Sequence, residues 1–144
     1  MDDIMLNKYQ IAKRCIKRIK EVYDNDPENL RNYTKQDSII LNIQRLSEAA
    51  IDIAMHITAE LELGLPQSSR DGFEILENNE MIDSKMSQKL KAMVGFKNIA
   101  VHEYQKLNLK IVEKIVEEEI DKVLQFAEDM LKIMEQKNGG NYGL

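Results

Sequence analysis

A chain of 144 residues with 43% hydrophobic content has the size of one domain and can bury a substantial core. Its formal net charge of −5 argues against a general basic coat for nucleic acid and leaves a local basic groove open. Cys15 is the only cysteine, which excludes an intrachain disulfide and fits a reducing, cytoplasmic setting.

Two prolines and six glycines leave long uninterrupted stretches rich in Leu, Ile, Met, Glu, Lys and Ala, so an all-α fold is expected. The first residues, Met1 to Lys8, begin acidic and lack a long apolar run, unlike a secretory signal. No stretch approaches the roughly 20 apolar residues needed to cross a bilayer. A soluble protein with no membrane partner is expected.

The first helix, about Ile4 to Tyr23, carries Leu6, Ile11, Ala12, Cys15, Ile16, Ile19 and Val22 on one side and Lys13, Arg14, Lys17, Arg18 and Lys20 on the other. The basic side has the charge to track a phosphate backbone, although such outer faces are usually just solvated. Cys15 lies on the apolar side and reads as a buried, inert thiol. Asp26-Pro27-Glu28 looks like a cap, a first-turn proline and an N-terminal carboxylate, restarting a short helix or turn.

From about Asp37 to Leu63, Ile39, Ile43, Leu46, Ala50, Ile53, Ile57 and Leu61 make one apolar stripe, with Arg45, Glu48, Asp52 and His56 opposite. Gly64 and Pro66 end that helix. A brief helix over Phe73 to Asn78 follows, and Asp83-Ser84 caps another beginning near Lys85. After Leu107-Asn108 a long packing helix carries Val112, Val116, Val123, Ala127, Met130 and Met134 along one seam. Residues 1–137 are predicted to form one helical domain, an up-and-down bundle of four to five helices, with 138–144 as a disordered tail.

The chemistry concentrates in Gly95-Phe96-Lys97-Asn98-Ile99-Ala100-Val101-His102-Glu103-Tyr104, where a cation, an amide, an imidazole and a phenol crowd together. On a straight helix Lys97 and His102 lie roughly 140° apart, and His102 and Tyr104 roughly 200° apart. These groups converge only if the helix bends or ends inside the motif, or if a second protomer supplies the missing group across a two-fold axis. The dimer is the favoured expectation. Each residue also has a plainer reading: His102 as a structural or surface histidine, Tyr104 as a packed ring with its hydroxyl satisfied at a helix end, Lys97 as a solvated charge.

Glu48, Asp52 and His56 follow one another at i, i+4 and share a face, which invites a metal-site reading. Three ligands on one helix make a weak site, so an interhelical polar network is expected and no metal. The same face is a second-tier candidate for lining a dimer cleft beside the motif. Nothing resembles a phosphate loop, a paired-cysteine metal site or a serine triad, and no cofactor is expected.

The decapeptide resembles the signature of the HepT-like toxins of the HEPN superfamily: an arginine, four residues, a histidine, one residue and a tyrosine. Lys97, His102 and Tyr104 occupy those places, with Asn98 at the polar position after the arginine. The segment Glu48-Ala49-Ala50-Ile51-Asp52-Ile53-Ala54-Met55-His56-Ile57 resembles the long second helix of that family. The resemblance implies a homodimer of helical bundles acting as a metal-independent endoribonuclease on RNA such as tRNA or mRNA, with no DNA substrate, paired with a minimal nucleotidyltransferase antitoxin. It implies His102 as acid–base catalyst, Lys97 as the phosphate-binding cation, Asn98 as a further member of the catalytic set, and Tyr104 as the candidate site of adenylylation. Lys97 departs from the family's arginine, losing the planar fork that grips two phosphate oxygens. Two readings therefore stay open: a ribonuclease with an altered site, or a HEPN dimer that binds RNA, a nucleotide or a partner protein without cutting.

Overall fold

The computed structural model describes residues 3–142, with side chains described over 3–137. Helix α1 (Asp3–Tyr23) turns through the left-handed residues Asp24 and Asn25 into a short 3-10 helix, Pro27–Arg31. The Asp26 carboxylate accepts the Glu28 N–H at 3.0 Å, with Pro27 in the first turn, as the sequence predicts. Helix α2 (Tyr33–Glu60) begins four residues before its expected start. The reason is Asn32, whose side chain caps the Lys35 N–H at 3.0 Å and lets the polar stretch 33–36 join the helix.

Helix α2 also ends earlier than expected, and by a different residue. Glu62 takes the left-handed conformation at φ 53°, the Leu63 N–H returns to the Thr58 carbonyl at 3.0 Å, and the Glu62 N–H returns to that of Ala59 at 3.2 Å. That pair of bonds is a Schellman cap, which sequence rules assign to glycine. Gly64, two residues later, sits at φ 154° and extends the loop rather than closing the helix. The Lys137 ammonium reaches the exposed Glu60 carbonyl at 3.0 Å.

Helix α3 (Ser69–Asn78) is longer than the expected 73–78, because Ser68 caps the Asp71 N–H at 3.1 Å. Helix α4 (Ser84–His102) starts from Asp83, which caps the Met86 N–H at 2.8 Å. After a 3-10 turn, Tyr104–Lys106, helix α5 (Leu109–Lys114) passes through a π-helical turn, Ile115–Glu119, into α6 (Ile120–Tyr142). The trace is helical to Tyr142. The expected disordered tail over 138–144 falls on residues whose side chains, and for Gly143 and Leu144 the backbone, lie outside the described residues.

Helix α2 is the central rod, packed by α1, α3, α4 and α6. Its predicted stripe is buried from Ile39 to Ile57, with Leu61 half-buried at the end. Phe73 of α3 meets Phe126 of α6 edge-on at 5.9 Å between ring centroids, closing the far side of the core. Ion pairs and hydrogen bonds align α6 beside α1, with Lys20 to Asp121 at 2.8 Å and Tyr9 to Glu128 at 3.1 Å. Both α1 and α4 run antiparallel to α2, leaving the outward face of α2 as the floor of a trough between them. No helix among the described residues is long and apolar enough to cross a membrane.

Candidate functional site

The burial of Leu90, Met93, Val94, Phe96 and Ala100 fixes the rotation of α4. That rotation turns Lys97 toward α2, where its ammonium pairs with the Glu48 carboxylate. Asn98 and His102 fall on the exposed side. The helix then stops. Glu103 leaves the helical region at φ −141°, ψ 49°, while its N–H still bonds the Ile99 carbonyl at 2.7 Å.

This helix end swings Tyr104 off the helical path and back over α2, where its hydroxyl donates to Asp37 and lies 3.3 Å from the Gln36 side-chain oxygen. Of the two ways to gather the motif, the helix end accounts for Tyr104. It leaves His102 apart. Lys97 and Tyr104 thus stand over the same face of α2, about three turns of helix apart, and His102 projects from exposed surface.

Asp52 pairs with Lys8 of α1 at 2.9 Å, so the Glu48 and Asp52 face is an interhelical ionic network joining α2 to α1 and α4. His56 is half-buried one turn further on. Among the described residues no cluster of three or more His, Cys, Asp or Glu side chains is arranged to hold a metal ion.

Two adjoining hollows make up the trough. One, of about 330 Å³, is lined by Lys8, Gln44, Arg45, Glu48, Asp52, Lys97 and Val101, among others. The second, of about 570 Å³, is lined by Arg14, Arg18, Asp37, Leu41 and Arg45, with Cys15 in its wall. Ile11 and Arg45 line both. Asn98, His102 and His56 line neither.

Sequence reasoning places Arg45 on the polar face of α2 and gives Asp37 no role. Asp37 turns out to hold the motif tyrosine, and Arg45 to line the hollow beside Lys97 as well as the one beside α1. The spacing of Arg45 from Glu48, one turn apart on the outward face, was the available signal. The pairing of Asp37 with Tyr104 spans 67 residues and has no local signature.

Burial, then the hydrogen bond to Asp37 and its negative charge, push the Tyr104 phenol up to about 12. A folded-state value above the ordinary phenol's roughly 10 contributes stability that is complete below pH ~10 and is lost as pH rises toward ~12. Asp37→Asn removes the anionic acceptor, so Tyr104 should ionise at lower pH. The phenolate absorbance of the variant, compared with that of Tyr104→Phe, reads this directly, and an unchanged titration would exclude Asp37 as the partner. Burial likewise raises the Cys15 thiol, against the lowering influence of Arg45 and Arg14 nearby. Such a thiol is a poor nucleophile.

The chain matches the family described as ribonuclease HepT-like over residues 12–130. It is 50% identical over 132 residues to the mRNA nuclease HepT of Shewanella oneidensis, covering 92% of this chain and 98% of that protein. Its fold superposes with a TM-score of 0.86 on a tri-AMPylated Shewanella oneidensis HEPN toxin in complex with MNT antitoxin, at 49% identity over 92% of this chain and 99% of that one. A toxin–antitoxin structure with AMP-PNP gives the same TM-score of 0.86 at 47% identity, covering 91% of this chain and 99% of that one. With an all-α bundle, a lysine, a histidine and a tyrosine at the end of α4, and a match over most of its length, the chain belongs to the ribonuclease HepT-like family.

Proposed function

We propose that the chain is a HepT-like toxin, a metal-independent endoribonuclease whose site forms between two copies and is silenced by a nucleotidyltransferase antitoxin that adenylylates Tyr104. The observation that carries this reading is the set of Lys97, His102 and Tyr104 at the end of α4, in the family's order and spacing, within a chain half identical to a named mRNA nuclease. RNA is the substrate class, mRNA by likeness to that relative, and the cytoplasm the compartment where both substrate and a reduced Cys15 belong.

The chemistry needs few groups. An RNA 2′-hydroxyl attacks the adjacent phosphorus while the His102 imidazole takes its proton, the bond to the 5′-oxygen breaks to leave a 2′,3′-cyclic phosphate, and the leaving oxygen takes a proton from water, the hydroxide being neutralised by the imidazolium. A cation stabilises the charge gathering on the phosphoryl oxygens. Lys97 is the motif's cation, with Asn98 beside it on the exposed side.

Because Lys97 and His102 diverge around α4, the reading requires a homodimer that brings His102 of one copy near a cation of the other. Ile99 and Val101, 41% and 53% exposed on either side of Ala100, supply apolar surface beside His102 for that contact. Sedimentation at micromolar concentration should report a dimer, and a clean monomer would remove the composite site. Purified protein should cut RNA in the presence of a chelator, and His102→Ala should lower the rate by about 10²–10⁴-fold. Equal cutting by the variant would end the catalytic reading.

A specific observation favours the second reading, a HEPN dimer that binds without cleaving. Lys97 lacks the guanidinium fork and is held by Glu48, so its charge is partly spent within the chain. Tight RNA binding with no products from the wild type would select that reading.

A further inference from the structure

We infer that the hollow between α1 and the N-terminal half of α2, lined by Arg14, Arg18 and Arg45, is a binding site for a ribonucleotide phosphodiester chain running from Tyr104 toward Lys97. The part of this inference that concerns a modified Tyr104 rests on the adenylylation proposed above; the part that concerns RNA does not.

Four observations meet there. Among the described residues, Arg14, Arg18 and Arg45 have no ion-pair partner, whereas Lys8 and Lys20 on α1 and Lys97 on α4 each hold a carboxylate. Three guanidinium groups left open in one hollow, on a chain of net charge −5, outnumber the single carboxylate there, that of Asp37, and offer bidentate donors to an anion. The second observation is their convergence from two helices: Arg14 and Arg18 of α1 and Arg45 of α2 line the same hollow, with Cys15 in its wall.

The third is the position of Asp37. It lines the hollow and accepts the Tyr104 hydroxyl, so a phosphate esterified to that oxygen begins at the hollow's edge. Esterification removes the proton shared with Asp37. The new phosphodiester is then repelled by that carboxylate and drawn to the guanidinium groups.

The fourth is continuity and size. Arg45 and Ile11 line this hollow and the one containing Lys97, so one cationic path joins the tyrosine oxygen to the motif lysine. At about 570 Å³ the hollow falls within the roughly 300–1,000 Å³ of nucleotide-sized ligand sites, and Leu41, 42% exposed at its rim, offers apolar surface to a base. An adenylate on Tyr104 and the RNA backbone would therefore compete for the same arginines.

The test uses the chain with Arg14→Gln, Arg18→Gln and Arg45→Gln combined. All three positions are exposed on helices and glutamine is close to arginine in helix propensity, so an unchanged helical circular dichroism signal should certify the fold. Arg14→Gln alone provides a milder second variant. In the first arm, anisotropy measures binding of a 2′-O-methyl oligoribonucleotide, which lacks the attacking hydroxyl. Affinity should fall at least about tenfold, and the slope of log affinity against log salt should shrink by about 2, at roughly 0.7 per lost phosphate contact on a single strand. Lys132→Gln, on the exposed side of α6, should change neither.

In the second arm, protein adenylylated on Tyr104 is treated with a phosphodiesterase. Release of AMP should run about tenfold faster from the triple variant, whose attached adenylate no longer lies against arginines that shield it. Unchanged affinity and salt slope would overturn the site for RNA, and equal release would overturn it for the attached nucleotide. A wild-type chain that takes no label on Tyr104 would overturn the adenylylation reading and the attached-nucleotide half of the inference, while the oligonucleotide arm would still decide the groove.

Discussion

Lys97→Ala should lower RNA cleavage by about 10²–10³-fold, the loss that follows removal of one donor to charge developing in a transition state, while Lys97→Arg should hold or raise the rate. The asymmetry follows from geometry. An ammonium offers a point charge, whereas a guanidinium can grip two phosphoryl oxygens at once. Glu48 adds a second handle on the same charge, because its carboxylate pairs with the Lys97 ammonium in the absence of substrate. A phosphate arriving at Lys97 must displace or share that partner, so Glu48→Gln should tighten RNA binding and raise cleavage at low substrate. Rates measured on one RNA for the four proteins decide the matter. Equal cleavage by wild type, Lys97→Ala and Lys97→Arg would take Lys97 out of the mechanism, and weaker binding by Glu48→Gln would show that the pair positions Lys97 instead of restraining it.

The fold was legible where a periodic pattern carried it. The apolar stripe from Ile39 to Ile57 predicted the buried face of α2, and the Asp26 and Asp83 caps were readable because a short polar side chain precedes a helical run. The ends of α2 and the start of α3 were misread for local reasons. Asn32 and Ser68 cap helices whose first turns are polar, so no apolar periodicity announces them, and Glu62 takes a left-handed conformation that the rules expect at glycine.

The site divides in the same way. Which residues belong to the motif was readable from one decapeptide, and so was the divergence of Lys97 and His102 around a single helix. Which partners they meet was not. Glu48 meets Lys97, and Asp37 meets Tyr104, only because α4 packs antiparallel to α2 and ends at His102. Those contacts depend on the packing of helices far apart in sequence, which no window of sequence reports. The open arginines are another case: Arg14 and Arg18 read as part of a solvated face of α1 and Arg45 as part of the polar face of α2, until two helices put them around one hollow.

Tyr104→Phe should abolish the transfer of AMP to this chain by a cognate nucleotidyltransferase, and the wild type should gain one or more AMP masses on a peptide containing Tyr104. The phenol oxygen forms the new bond to the α-phosphorus of ATP, the bond to the β-phosphate bridge breaks, pyrophosphate departs, and the phenol gives up its proton. Asp37, already bound to that hydroxyl, stands where the proton is released and orients the oxygen. Burial, then the hydrogen bond to Asp37 and its negative charge, push the phenol up to about 12, so the oxygen meets the nucleotide as a hydroxyl. Asp37→Asn should therefore slow labelling without abolishing it, since the hydroxyl remains. The added phosphate charge and bulk would lie beside the trough that holds Lys97, and RNA binding should fall in proportion to the label by sterics and like-charge repulsion. Mass spectrometry that finds the label on another residue, or equal labelling of Tyr104→Phe, would end the regulatory role of Tyr104 and leave cleavage by His102 to be judged on its own assay.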